Sequence, residues 1–422
     1  MSYRMSLNLI LPALLVFALM VAGTAAASTG SIVYLKNHNV WLADADGSNP
    51  HQVTRGGNYE HPWLSPSQSD DGTIAASYGQ EIVRMKQNGE VLNRMNPKPI
   101  LNSVSHAVDG VPLDVRISPN GKLIAYSFYS YECPVGASCG ARTVTGYTAA
   151  DRLTPPEQYG TTYFAGTSWA GNGRTIQSGG FGSQINFHNL DRQDPVHWFD
   201  DVDIYGWEDS TDLSDAELSP DGKFLAAIRG YSESSHAIWY SVNGNALSGP
   251  PPADPSPACK TGELEGLAGP TWSPDSQSLL WQEPDGIWLK SAPATCESPQ
   301  PKLLIPGGSE PDWGPAANDP GPTGSGGLKV KAVNTKLGKV LKQGLRLKVT
   351  VPAAGKVKVK VRQGGKVVAS GSASAAGAGT VTVKAGFTAR ARRSLARVKK
   401  VKLAVATTAG GASSKLVVFV RK

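Results

Sequence analysis

The sequence predicts an all-β protein: a six-bladed β-propeller whose closing blade takes strands from both ends, then a small immunoglobulin-like β-sandwich. Three observations predict it. A strand–turn–strand unit recurs at a near-constant period, no sustained helical periodicity accompanies it, and the charge of the chain divides abruptly near residue 328.

The clearest copy of the unit runs from Ala216 to Ala226. Leu218 closes an apolar-alternating run, and Pro220 presets φ for a turn. Asp221 caps its own backbone, Gly222 is free to take positive φ, and Phe224 starts the next buried run. With the residue of the Ser-Pro pair as marker, copies fall at Ser65, Ser118, Ala170, Ser219, Ser273 and Gly314. The spacings are 53, 52, 49, 54 and 41 residues. A period of this size built from strands and turns is the mark of propeller blades, each of which needs a neighbour to cover its faces.

Ring closure is legible too. The copy at Gly314 has a turn but lacks the strands that should follow. The stretches 31–35, 40–44 and 52–54 are strands without a preceding turn. Joined, they complete one blade and leave no open sheet edge.

The repeat resembles the TolB-like propeller family with its Ser-Pro-Asp-Gly units. Trp272-Ser273-Pro274-Asp275 matches the inner-strand motif, and Asp44-Ala45-Asp46-Gly47 through Thr54 matches the outer hairpin. The resemblance spans about residues 30–316 and implies the fold; such a fold hosts many activities. TolB proteins carry an α/β domain before the propeller. Here the blades begin almost at once, so the likeness is to the propeller alone and a Tol–Pal role is not expected.

Residues 1–27 read as a signal peptide. Arg4 precedes an apolar run over 7–22, and Ala25-Ala26-Ala27 offers a small-residue cleavage site before Ser28. The run is short for a membrane span. The protein is therefore expected to be exported, and secreted or held at the cell surface or in the periplasm.

Four cysteines suit that setting and allow three pairings. Proximity favours Cys133–Cys139 and Cys259–Cys296, each closing a loop within or beside one blade. Without Cys-x-x-Cys spacing or paired His, no metal site is expected from them.

The propeller is assigned to 28–316 and a Pro/Gly/Ser linker to 317–327. Of the 41 Lys and Arg, 23 fall in residues 328–422, which contain no Asp or Glu. The remaining 18 face all 34 acidic residues, so a +23 domain follows a −16 one. The stretches 345–351, 357–362 and 401–405 alternate aliphatic with basic residues, which puts one face in a core and the other in water. The module resembles the Lys-rich C-terminal domains of exported actinobacterial proteins. So much unbalanced charge points to an anionic partner, a cell-wall polymer or a membrane surface. Only Phe387 and Phe419 are aromatic, so sequence-specific nucleic-acid binding is not expected.

Chemistry is sparse. Gly166-Thr167-Ser168-Trp169-Ala170 fits a loose nucleophile elbow but sits in blade register with no helix to follow. Asp44-Ala45-Asp46-Gly47 lacks the Glu that would close a calcium loop. Four residues before each marker stand His61, Asp114, Gly166, Asp215, Gly269 and Glu310. Two before stand Arg116, Glu217 and Asp312, and one before are large apolar residues including Leu64, Trp169, Trp272 and Trp313.

His61, Asp114, Asp215 and Glu310 are thus the candidate ligand residues, read as a ring in the channel that a divalent cation or polar ligand would relieve of repulsion. No catalytic residue is assigned. The favoured reading is a non-enzymatic binding or scaffold protein, its propeller face open to a protein partner and its basic domain held at the cell envelope. The alternatives are a polysaccharide hydrolase or lyase working through the channel carboxylates, and assembly of acidic propellers with basic tails of neighbouring copies.

Overall fold

The computed structural model describes residues 29–102, 105–133, 139–163, 165–179, 184–191, 194–205, 212–320, 328–351, 355–375, 379–409 and 412–422. The expected signal peptide, residues 1–27, and most of the expected linker, 317–327, lie outside them.

Six antiparallel sheets form the blades. The second blade holds Trp63–Gln68, Ile74–Tyr78, Glu81–Met85 and Val91–Met95, counted outward from the channel. The fourth, fifth and sixth repeat this plan from inner strands Ala165–Trp169, Leu213–Leu218 and Ala268–Trp272. The third has three strands, Leu113–Ile117, Leu123–Glu132 and Gly140–Ala149. The closing blade is composite: inner strand Ser309–Gly314 pairs with Ser31–Lys36, which pairs in turn with Asn39–Asp44.

The apolar cores lie between neighbouring blades. Val33, Leu35, Val40 and Leu42 pack on Ile74, Ala76 and Val83 of the second blade. Ile32 and Tyr34 pack from their other side on Leu280 and Ile287 of the sixth. Between the third and fourth blades a polar cluster intervenes, in which buried Tyr147 bonds Thr175, His188 and Gln177.

Both disulfides form in the expected pairing. Cys259, on the outermost strand of the fifth blade, reaches Cys296 in a loop of the sixth, so this bond staples two blades. Cys133–Cys139 pins the tip of the long hairpin of the third blade.

The basic domain is β, with seven strands around one core. Its layers are less separate than in an immunoglobulin sandwich. Lys329–Ala332, Leu345–Val351 and Gly379–Phe387 form one layer. Lys366–Ala375, Gly355–Gln363, Lys400–Ala409 and Ala412–Arg421 form the other. The layers join through two residue pairs, Ala369–Phe387 and Ser370–Gly386. At the opposite edge the Arg421 N–H donates to the Thr335 carbonyl, giving one nearly closed sheet. Two short helices that the strand pattern did not announce, Leu337–Gln343 and Ala389–Leu395, bury Leu337, Val340, Ala391 and Leu395 in that core. Among the described residues no helix is long and apolar enough to cross a membrane.

Candidate binding site in the propeller channel

The Ser-Pro-Asp-Gly turn is built the same way each time. The Ser219 hydroxyl donates to Asp221 and accepts from the Phe224 N–H, and Gly222 N–H returns to the Ser219 carbonyl. Ser118 with Asn120 and Ser273 with Asp275 do likewise. In the second blade this role belongs to Ser69, whose hydroxyl donates to Asp71 while Gly72 N–H bonds its carbonyl. The Ser65-Pro66 pair taken as the marker lies inside the inner strand.

The turn of the second blade thus lies four residues later than the Ser65-Pro66 pair, and the ring differs accordingly. Ser65 replaces His61 and Gln68 replaces Leu64. His61 is exposed, ahead of the inner strand, with its N–H on the Asn58 side chain.

In the corrected register, Ser65, Asp114, Gly166, Asp215, Gly269 and Glu310 all take positive φ, between 47° and 59°. Each sits at a β-bulge of its inner strand. Such backbone is uncommon for residues with a side chain and persists only when neighbours hold it. At Ser65, Asp114, Gly166, Gly269 and Glu310 a hydrogen bond from the N–H to a neighbouring blade holds it. Ser65 N–H donates to Glu310 Oε2 (2.7 Å). Asp114 N–H donates to Ser65 Oγ (3.1 Å). Gly166 N–H donates to the Asp114 carboxylate, and Gly269 N–H to Asp215 Oδ2 (3.0 Å). Glycine at 269 offers no acceptor, and Gln282 Oε1 takes the Glu310 N–H instead.

A second layer, two residues on, follows the same rule. Gln68 N–H donates to Asp312 Oδ2 (2.7 Å) and Ile117 N–H to Ser67 Oγ (2.9 Å). Trp272 N–H donates to Glu217 Oε1 (3.0 Å), and Trp313 N–H to Thr271 Oγ1 (3.3 Å).

Both layers alternate. Large charged side chains come from the closing, third and fifth blades: Glu310, Asp114 and Asp215 in one layer, Asp312, Arg116 and Glu217 in the other. The second, fourth and sixth blades give Ser65, Gly166 and Gly269, then Ser67, Ser168 and Thr271. Large and small residues thus alternate from blade to blade in both layers.

Arg116 is the cation within this cage. Burial disfavours its charge, but Asp312, Asp114, Glu217 and Asp215 outweigh that and hold it more firmly protonated than an ordinary arginine. Burial lifts Asp114 and Glu310 above the usual carboxylate range, neighbouring acids add to this, and Arg116 opposes it. Asp312 is raised by burial against the pull of Arg116. Glu217 is pushed up to about 7, first by burial and then by Asp312. Among the described residues no group of three or more His, Cys, Asp or Glu side chains is placed to hold a metal ion.

At the end of the channel that carries the turns, the second layer floors a cavity of about 580 Å³. Arg116, Glu217 and Asp312 are its charged floor; Ile117, Trp169, Leu218, Trp272 and Trp313 are its wall. The indole N–H groups of Trp169 and Trp272 donate back to the Arg116 and Glu217 carbonyls, wedging neighbouring blades together.

No family model matches the chain. No curated protein matches it either. Among solved structures it is similar to a protein described as a TolB from Agrobacterium tumefaciens, at 13% identity and TM-score 0.44, over 67% of this chain and 91% of that one. It is also similar to a protein described as a 6-phosphogluconolactonase from Bacteroides uniformis, at 10% identity and TM-score 0.41, over 68% and 99%. A protein of unknown function from Bacteroides caccae gives 9% identity and TM-score 0.42, over 68% and 99%. At such scores these likenesses say nothing about activity.

Proposed function

We propose that this chain is an exported binding protein, in which the propeller takes the ligand and the C-terminal domain holds the molecule on an anionic cell-envelope polymer or surface. One observation carries the reading: a folded domain of 23 basic and no acidic residues displays its charge in an ordered row. Lys356, Lys358, Lys360 and Arg362 all point outward from one strand, about 6.8 Å apart in succession. Short residues flank the row, with Ser370, Ser372 and Ser374 on one side and Ala404, Ala406 and Thr408 on the other. On the other layer Arg346 lies directly opposite Lys384, and Lys331 opposite Lys348. Like charges so placed destabilise a sheet and do nothing for its packing. A linear polyanion lying along the row would offset the repulsion between its successive charges, and one lying on the other layer that of its cross-strand pairs.

The channel carboxylates support binding over catalysis. Asp114, Asp215 and Glu310 each accept a backbone N–H of the next blade. They are latches of the ring before they are reagents.

The test is pelleting with isolated cell envelopes across a salt series, comparing the chain with a version ending at Asn318. The chain should pellet at low salt and release as screening rises, while the shortened form stays soluble. Equal, salt-insensitive pelleting of both would refute the anchor.

A further inference from the structure

The cavity at the turn end of the channel has a definite chemistry. The Arg116 guanidinium lines this cavity, and Asp312, Asp114, Glu217 and Asp215 act on its charge. Glu217 is engaged through Oε1 and Asp312 through Oδ2, so each keeps one oxygen uncommitted there. The floor therefore offers donors and acceptors side by side, fixed by strands of alternate blades.

That arrangement selects against simple ions. An anion drawn to Arg116 meets Glu217 and Asp312, with Asp114, Asp215 and Glu310 one layer below. A cation drawn to Glu217, Asp312 or Asp70, the third acid of the lining, meets the Arg116 charge set among the channel acids. A hydroxyl both donates and accepts, and so satisfies both signs at once. Above the floor, Ile117, Leu218, Pro220, Leu247 and half-buried Trp169 give an apolar wall suited to the C–H faces of a sugar ring. The volume lies within the range of small-ligand pockets, about 300–1,000 Å³.

We propose that the turn-side mouth of the channel binds an uncharged, hydroxyl-rich ligand, a short neutral oligosaccharide. Arg116 donates to its oxygens, Glu217 and Asp312 accept its hydroxyl protons, and Trp169 lies along a ring face. The assignment deepens the binding-protein reading and rests on it.

The experiment screens the full chain against an array of neutral oligosaccharides, then measures hits by calorimetry, with tetralysine and citrate as charged controls. A neutral glycan should bind while both controls fail. Arg116→Lys keeps the charge among the acids but loses the planar fork, and should weaken the hit about tenfold or more. Leu247→Trp narrows the exposed rim without touching the interior and should change affinity more than threefold. Both variants should pellet with envelopes as the parent does, which separates this site from the anchor. If no array glycan binds, or tetralysine or citrate binds instead, the proposal falls. Wild-type affinity for the hit in both variants would also overturn it.

Discussion

Glu217→Gln isolates the energetic consequence of crowding acids around one arginine. Folding moves the Glu217 carboxyl from its ordinary 4.5 to about 7. Between those values the folded state keeps a proton that the unfolded state has released. Stability present below pH 4.5 is therefore lost as pH rises through 7. That difference, at about 1.36 kcal/mol per pH unit, gives about 3 kcal/mol. Glutamine keeps an oxygen for the Thr271 hydroxyl and the Trp272 N–H, so both bonds survive the change. The variant should gain about 3 kcal/mol at pH 8 and close to nothing at pH 4.5. The assay is urea denaturation followed by tryptophan emission, which reports the propeller alone because all ten Trp precede residue 328. Equal shifts at both pH values, or destabilisation at pH 8, would refute the argument.

Other expectations follow from the same geometry. Gly166→Ala should cost about 3 kcal/mol or more, because its Cβ would stand 2.7 Å from Asp215 N and 2.6 Å from Ser178 Oγ. Gly269→Ala has room, its nearest neighbour being 3.6 Å away, and should lose only the roughly 1–2 kcal/mol of left-handed backbone; similar losses for both in thermal melts would contradict the latch geometry. Replacing Cys259 and Cys296 together by Ser should cost about 2–4 kcal/mol in propeller unfolding, since the bond closes 37 residues and couples two blades. Changing Lys356, Lys358 and Lys360 together to Gln should leave the melting temperature within a degree or two yet lower the salt at which the chain leaves envelopes; an unchanged release point would show that the row is not the contact.

The repeat was legible because each blade needs the same turn, and turn chemistry is local. Asp221-Gly222 and Asp275-Ser276 announce their hairpins without help from the rest of the chain. The composite blade was legible because strands lacking a turn and a turn lacking strands are complementary deficits. The second blade misled because Ser65-Pro66 imitates the marker within a strand, while the true turn, Ser69-Asp70-Asp71-Gly72, has no proline. A serine two residues before the turn Asp or Asn is the more faithful signal, since its hydroxyl closes the turn in Ser69, Ser118, Ser219 and Ser273 alike. The charged layer of Arg116, Glu217 and Asp312 could be lined up from sequence. Its place as the floor of a cavity could not, because that depends on which of six strands stand opposite one another across the channel. The helices of the basic domain escaped for another reason: seven-residue segments carry too few turns to show a period.

The clasp has a consequence for how the chain comes into being. Ser31 pairs with Gly314, residues 283 positions apart, and strand Ser31–Lys36 is covered on both faces only when blades two and six are both in place. A ring closed this way has no finished intermediate: five blades can gather as they are synthesised, yet the first strands wait, unpaired on one edge, until residue 314 is free to meet them. Everything before that moment leaves a sticky margin at the amino-terminal end, and the last propeller residues to be made are the ones that seal it.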